Sequence, residues 1–212
     1  LQKSLVTMQN LLGPADGDTV DVQTAFALTE VLRGETRKGR ALLEDSMAAH
    51  AAVYGAHHPQ VGNIRHALAI ADEIDGQLSS GLERLDTVLS DDYRSLAAGN
   101  VLIAYARLDR AWLHLAADHL DLAVADLDRA EPVLLALRDE GHPRWGSAQL
   151  ARAVLALHRG DTDAAKLFAG KAIAQRTELF GADHSSTVEA RRWLKALDEP
   201  GIPLSAPGAP IL

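Results

Sequence analysis

The chain has 212 residues, of which 47% are hydrophobic and 24% charged, which is enough apolar material for a folded core. Its net charge of −8 disfavours general binding to nucleic-acid phosphates. The absence of cysteine excludes disulfides, thiolate metal sites and a cysteine nucleophile, and no apolar run approaches the roughly 18 residues of a membrane span.

Aromatics are only 4% of the chain while alanine and leucine dominate, so helices are favoured over strands. In chain order, apolar periodicity and turn punctuation predict helices over 3–12, 17–33, 36–54, 59–75, 79–91, 95–117, 120–139, 143–159, 162–180 and 184–198. The first reads as the second helix of an earlier unit, and the last as a terminal helix with Arg191, Arg192 and Lys195 on its solvent side. Pro59 and Pro143 follow His58 and His142 at positions suited to a first helical turn. Asp161 and Thr162 are placed to cap the helix after Gly160. Pro132 falls inside a helical stretch and is expected to kink or break it. Residues 199–212 are expected to form an extended Pro/Gly tail whose Ile202-Pro203-Leu204 and Pro210-Ile211-Leu212 lie in the chain's own groove or that of a second molecule, or hang free as a disordered terminus. Because the chain opens on Leu1 rather than methionine, it is expected to be part of a longer protein.

A 42-residue period runs through these elements. Tyr54-Gly55-Ala56-His57-His58-Pro59 is echoed by Gly141-His142-Pro143 and by Phe180-Gly181-Ala182-Asp183-His184. Gly34, Gly76 and Gly160 fall in phase, with Asp118 in the remaining slot. Ala27, Ala69, Ala111 and Ala153 form a second column, Gly39, Gly81, Ala123 and Ala165 a third, and Ser46, Val88, Ala130 and Ala172 a fourth. Each unit reads as helix, tight turn and antiparallel helix, with small residues where the two helices cross. The third unit departs most, since Gly99-Asn100 replaces the His-Pro junction.

These motifs resemble the tetratricopeptide repeat, in the 42-residue form found in kinesin light chains and many bacterial regulatory proteins. The likeness rests on Leu68-Ala69 with Gly76 and Gly81, on Ala153 with Gly160, Ala165 and Ala172, and on the Tyr-Gly-x-x-His-Pro junctions, and it covers about residues 12–198. It implies an all-α, right-handed superhelical solenoid of antiparallel hairpins. Residues 1–12 would end a preceding repeat, residues 13–198 would hold about four repeats and a terminal helix, and 199–212 would be the tail. It further implies a non-catalytic module that binds a protein or peptide in a groove lined by the first helix of each pair.

Placing the repeats in register assigns that lining to Asp21, Thr24, Leu28 and Val31 in the first unit and Asn63, His66, Ile70 and Glu73 in the second. The third contributes Tyr105, Leu108, Trp112 and Leu115, and the fourth Ser147, Leu150, Val154 and Leu157. An apolar stripe open to solvent marks an interaction site, whereas the same stripe packed on neighbouring helices is ordinary core. The candidate binding residues are Tyr105, Leu108, Trp112, Leu150, Val154 and Leu157 for apolar contact and Asn63, His66 and Ser147 for polar contact.

No residue pattern points to catalysis, a metal or a cofactor. His57 and His58 are junction residues, and His58 and His66 lie eight residues, or about 12 Å, apart along a helix, too far to share a metal. Asp118-His119 and Asp183-His184 sit at helix junctions, where such residues cap helices, and there is no nucleophile elbow or phosphate-binding loop. Asp121, Asp126 and Asp128 read as a solvated helix face, and Arg33, Arg37, Lys38 and Arg40 as a solvated turn. The expected partner is therefore a protein or peptide, with self-association through the groove or tail as a further expectation. Neither direct nucleic-acid contact nor a membrane span is expected. The Ala/Leu/Arg-rich composition suggests a bacterial source, and a cytoplasmic location is a separate expectation, since the lack of cysteine does not separate cytoplasm from periplasm. The alternatives are a sensor or oligomerisation domain at the C-terminal side of a larger bacterial regulator, such as a Ser/Thr kinase or transcription regulator, and a scaffold that dimerises through its apolar face.

Overall fold

The computed structural model describes residues 2–14, 16–138 and 141–197, and every regular element among them is helical. The elements are α1 (Gln2–Leu12), α2 (Gly17–Leu32), α3 (Thr36–Tyr54), α4 (Pro59–Ile74), α5 (Leu78–Thr87), a π-helical turn (Val88–Asp92), α6 (Val101–Ala116), α7 (Leu120–Arg138), α8 (Arg144–His158), α9 (Thr162–Phe180) and α10 (Ser185–Ala196). The tail expected at 199–212 lies outside the described residues.

Two local devices, repeated every 42 residues, set these boundaries. The first is a side chain that accepts the backbone N–H two residues on, relieving the unpaired donors of a helix start. Asp16 accepts from Asp18 at 3.1 Å, His58 from Gln60 at 3.3 Å, Asn100 from Leu102 at 2.9 Å, His142 from Arg144 at 3.5 Å and His184 from Ser186 at 3.4 Å. Asn100, where the His-Pro motif is lost, thus keeps its function. Tyr54 and Phe180 stack on the capping rings of His58 and His184 at 4.9 and 4.8 Å, which holds those imidazoles in place.

The second device closes each hairpin. The backbone N–H groups of Glu35, Gln77, His119 and Asp161 reach back to the carbonyls of Glu30, Asp72, His114 and Ala156 at 2.9, 2.7, 2.8 and 2.9 Å. Such closure needs a left-handed residue just before the donor. Gly34, Gly76 and Gly160 supply it with φ of 90°, 72° and 76°, and Asp118 does so at 60° despite its side chain.

The chain divides into two compact units, residues 1–106 and 107–212. In the first, α2 packs on α1 and α3, and α4 packs on α3 and α5. Val20, Ala27, Val31, Leu43, Ile64 and Leu68 are at the centre of its core. The α2–α3 crossing is close enough that a Cβ on Gly39 would sit 2.5 Å from the Ala27 carbonyl oxygen. In the second unit α8 packs on α7 and α9, and α10 closes on α9. Its core includes Leu113, Leu127, Leu134, Leu150 and Trp193 together with Ala123, Ala130, Ala153, Ala165 and Ala172. Small residues let these helices approach closely enough to bury nearly the whole length of α8.

Two expectations need correction. Pro132 does not break its helix, for α7 runs unbroken from Leu120 to Arg138. The helices expected at 79–91 and 95–117 are instead α5, the π-helical turn and a later-starting α6. The wider turn drives Asp92 and Tyr93 into the interior against α4, where Gly62 makes room: a Cβ there would lie 2.7 Å from Asp92 Cβ and 2.8 Å from Tyr93 Cε1.

Candidate interaction surfaces

The register residues divide sharply by burial. Leu108 and Leu150 are fully enclosed, and Ser147, Trp112, Val154 and His66 retain at most 8% of their surface. Of the nine candidate binding residues, Asn63, Tyr105 and Leu157 alone are half-buried. The stripe expected to be apolar and open is thus mostly interior. The physical reason is that α4 and α8 are buried nearly all round, polar residues such as His66, Asp72, Ser147 and Gln149 included. A register position fixes which face of a helix meets its hairpin partner, but a neighbouring hairpin covers the remaining face, as α2 and α3 do for α4 and α7 does for α8. Trp112 illustrates the result, since its indole N–H is buried with no hydrogen-bond partner among the described residues.

In the first unit, the half-buried Asn63 on α4 is held by Tyr93. The Tyr93 hydroxyl, itself buried, donates to Asn63 Oδ1 at 2.6 Å. That contact engages the amide oxygen and leaves the NH2 group bonded to no described residue. Beside it the buried Asp92 carboxylate accepts from Arg65 and faces His57 Nδ1 at 3.1 Å. Tyr93, which follows the π-helical turn, therefore supports Asn63, and no sequence motif signalled it. Tyr93 falls in the gap between the helices expected at 79–91 and 95–117.

Further along α4, Asp72 lies fully buried and accepts from Arg40 of α3 and from Ser80 and Arg84 of α5, each at 2.7 Å. Burial pushes its carboxyl up, but those three hydrogen bonds outweigh it and hold the group below the usual carboxylate value. Lys38 and Arg40 of the basic cluster are thereby engaged, Lys38 with Glu30 at 2.5 Å and Arg40 also with Asp75 at 3.0 Å. Arg33 and Arg37 remain exposed.

In the second unit, Asp109 and Arg144 form a buried pair at 2.5 Å that ties α6 to α8. Asp126 corrects the expected solvated face of α7, since it is 2% exposed and held by both ends of the Arg110 guanidinium at 2.7 Å. Arg152 pairs with Asp128 at 2.5 Å and Glu131 at 2.9 Å. Exposed apolar side chains here are scattered along α7 and α9: Leu122, Leu135, Leu167 and Phe180.

The remaining chemical candidates act structurally. His58 and His184 cap helices, and Asp118 lies 3.3 Å from His158 at an exposed turn. His50 is fully buried with both ring nitrogens unpartnered among the described residues, and burial depresses its pKa below 6.5. Among the described residues no group of three His, Asp or Glu side chains is placed to hold a metal. No described helix is long and apolar enough to cross a membrane.

No family model matches the chain. A curated relative, the clustered mitochondria protein homolog of Brugia malayi, is 31% identical over 132 residues, which is 60% of this chain and 9% of that protein. A crystal structure of a Podosopora anserina chain described as a kinesin light chain with nearly identical TPR-like repeats superposes with a TM-score of 0.64 at 21% identity, covering 84% of each chain. A single-substitution variant of that chain superposes at 0.65 with the same identity and coverage. At that identity the likeness speaks for architecture, and it agrees with the 42-residue spacing of caps and turns. By fold, the chain is an all-α helical-repeat solenoid protein of the tetratricopeptide-like kind.

Proposed function

We propose that the chain is a non-catalytic module that holds an extended or helical segment of a partner protein, with Asn63 as its polar anchor. Tetratricopeptide-like folds generally serve as protein-interaction scaffolds, which supports the class of activity. The observation that carries the residue assignment is the fixed Asn63 amide, with its oxygen engaged by Tyr93 and its NH2 free to donate to a peptide carbonyl. A donor held in place before binding loses little rotamer freedom on association. Tyr105, half-buried in the same unit, adds apolar contact. Leu108, Trp112, Ser147, Leu150, Val154 and His66 stabilise the helices that present these groups.

The test is affinity capture from source-cell lysate with the wild-type chain and an Asn63→Asp variant. The substitution keeps an acceptor for the Tyr93 hydroxyl and removes the unbonded donor. A protein retained by wild type and lost by the variant at unchanged helicity supports the reading. Identical captures by the two proteins would remove Asn63 from it.

A further inference from the structure

Three arginines of the third hairpin stand about one carboxylate. The turn at Asp118 joins α6 to α7, and across it the Arg110 guanidinium holds both oxygens of Asp126 at 2.7 Å. Arg107 lies three residues before Arg110, and Arg129 three residues after Asp126. In an antiparallel helix pair those two positions face one another, about 4.5 Å farther from the turn. The matching positions of the other hairpins hold Gln23 and Asp45, Arg65 and Thr87, and Gln149 and Lys171. The third hairpin alone sets two like charges opposite each other.

The local carboxylates are already engaged. Asp126 is taken by Arg110, Asp109 pairs with Arg144 at 2.5 Å, and Asp128 and Glu131 pair with Arg152 at 2.5 and 2.9 Å. Arg107 and Arg129 form no ion pair with a described residue. The second hairpin handles the same position differently. There Arg65, the counterpart of Arg107, pairs with Asp92, whose own counterpart in the third hairpin is Leu134. Burial, and next the Arg129 charge, push the Arg107 guanidinium below its ordinary pKa; Asp126 opposes that shift and Arg110 adds to it. The repulsion between the two facing cations is thus left standing in the free chain.

An anion seated between them would remove it. A carboxylate is planar and is saturated by one guanidinium fork, whereas the oxygens of a phosphate are spread tetrahedrally and accept from two. A phosphate monoester brings three acceptor oxygens and a charge of about −1.5 to −2 at pH 7, which matches two unpaired guanidiniums. Arg107 is half-buried and Arg129 exposed, so this face is open. Small free ligands are held in concave sites that bury most of their surface, and an open face suits a group carried on a larger molecule. We propose that Arg107 and Arg129 clasp the phosphate of a phosphorylated side chain on a partner protein. The inference rests on the reading of the chain as a protein-interaction module and is independent of Asn63.

The test follows the arginine Nε–H signals of the full chain by NMR at constant ionic strength. The probes are a pentapeptide of four glycines around a central phosphoserine, the same peptide with serine or glutamate at its centre, and inorganic phosphate. The expected result is a saturable shift of the Arg107 and Arg129 signals with the phosphopeptide, a weaker response to the glutamate peptide and none to the serine peptide. Arg129→Gln, on an exposed helix face, should abolish saturation. Arg159→Gln removes an equally exposed charge from the fourth hairpin and should leave the affinity unchanged. The absence of saturation, an equal response to the glutamate peptide, or an equal loss in the two variants would overturn the proposal. So would saturation by inorganic phosphate without saturation by the phosphopeptide, since a free ion would then be the ligand. Capture of a partner through Asn63 is read separately, so either reading can fail while the other stands.

Discussion

The second and fourth hairpins share a backbone repeat and close it by opposite means. Between α4 and α5 a buried carboxylate, Asp72, is locked by Ser80, Arg84 and the neighbouring Arg40. Between α8 and α9 the matching positions hold Ala156, Ala164 and Phe168, and Val124 stands where Arg40 would be. The ionic lock fills its space with groups that depend on one another. The apolar version has no such dependence, but it leaves an open cleft. The repeat thus tolerates either solution because its geometry is set elsewhere, by the caps and the left-handed turns.

The largest effects should come from breaking what each hairpin depends on. Leu150→Ala empties a fully buried site in α8 and should cost about 4 kcal/mol, read as a lower urea midpoint. Asp72→Ala leaves Arg40 and Arg84 facing one another without their carboxylate and should cost about 3 kcal/mol, the lower end for a broken buried pair because both arginines keep contact with water.

Gly62 and Gly146, 84 residues apart, sharpen the comparison. A methyl at Gly62 meets Asp92 Cβ at 2.7 Å, close to the backbone of a packed turn, whereas at Gly146 it meets Gln175 Oε1 at 2.5 Å, the end of a side chain that can swing aside. Thermal unfolding should therefore show Gly62→Ala destabilised by about 2 kcal/mol and Gly146→Ala by less than about 1 kcal/mol, since alanine also improves helix propensity.

His50 of α3 corresponds in register to the buried Leu134 of α7. Its pKa in the folded chain is pushed below 6.5 by burial, so the unfolded chain binds the proton first. Stability should then fall as pH drops below 6.5, and His50→Leu should flatten that slope in urea titrations at pH 7.5 and 5.5. The smallest effect belongs to the third turn. Asp118→Gly relieves a left-handed non-glycine residue and should add about 0.5 kcal/mol, little offset by the exposed contact to His158.

Helix boundaries were largely legible in the sequence because caps and turns are local. The expected 36–54 and 162–180 match α3 and α9, and the columns of alanine and glycine mark real close approaches such as Gly39 on Ala27. Asn100 escaped the motif because capping asks for an acceptor atom rather than for histidine. The break expected at Pro132 failed because a proline removes one hydrogen bond, and the packed face around Leu127, Ala130 and Leu134 holds the helix on both sides. The groove was the least legible. Leu108, Trp112 and Leu150 occupy the right register, but register alone does not reveal what a neighbouring hairpin covers. Asn63 was nameable from sequence, while its support by Tyr93 depends on a π-helical turn that no periodicity marks.

The equivalence of the two closures can be tested by grafting one onto the other. In a chain carrying Arg40→Val, Asp72→Ala, Ser80→Ala and Arg84→Phe, the second hairpin has the residues of the fourth. Urea unfolding followed by circular dichroism should show a cooperative transition within about 1 kcal/mol of wild type, well above the Asp72→Ala single variant, because the whole ionic set has been exchanged for an apolar one. A grafted chain as unstable as the single variant, or less stable, would contradict the account.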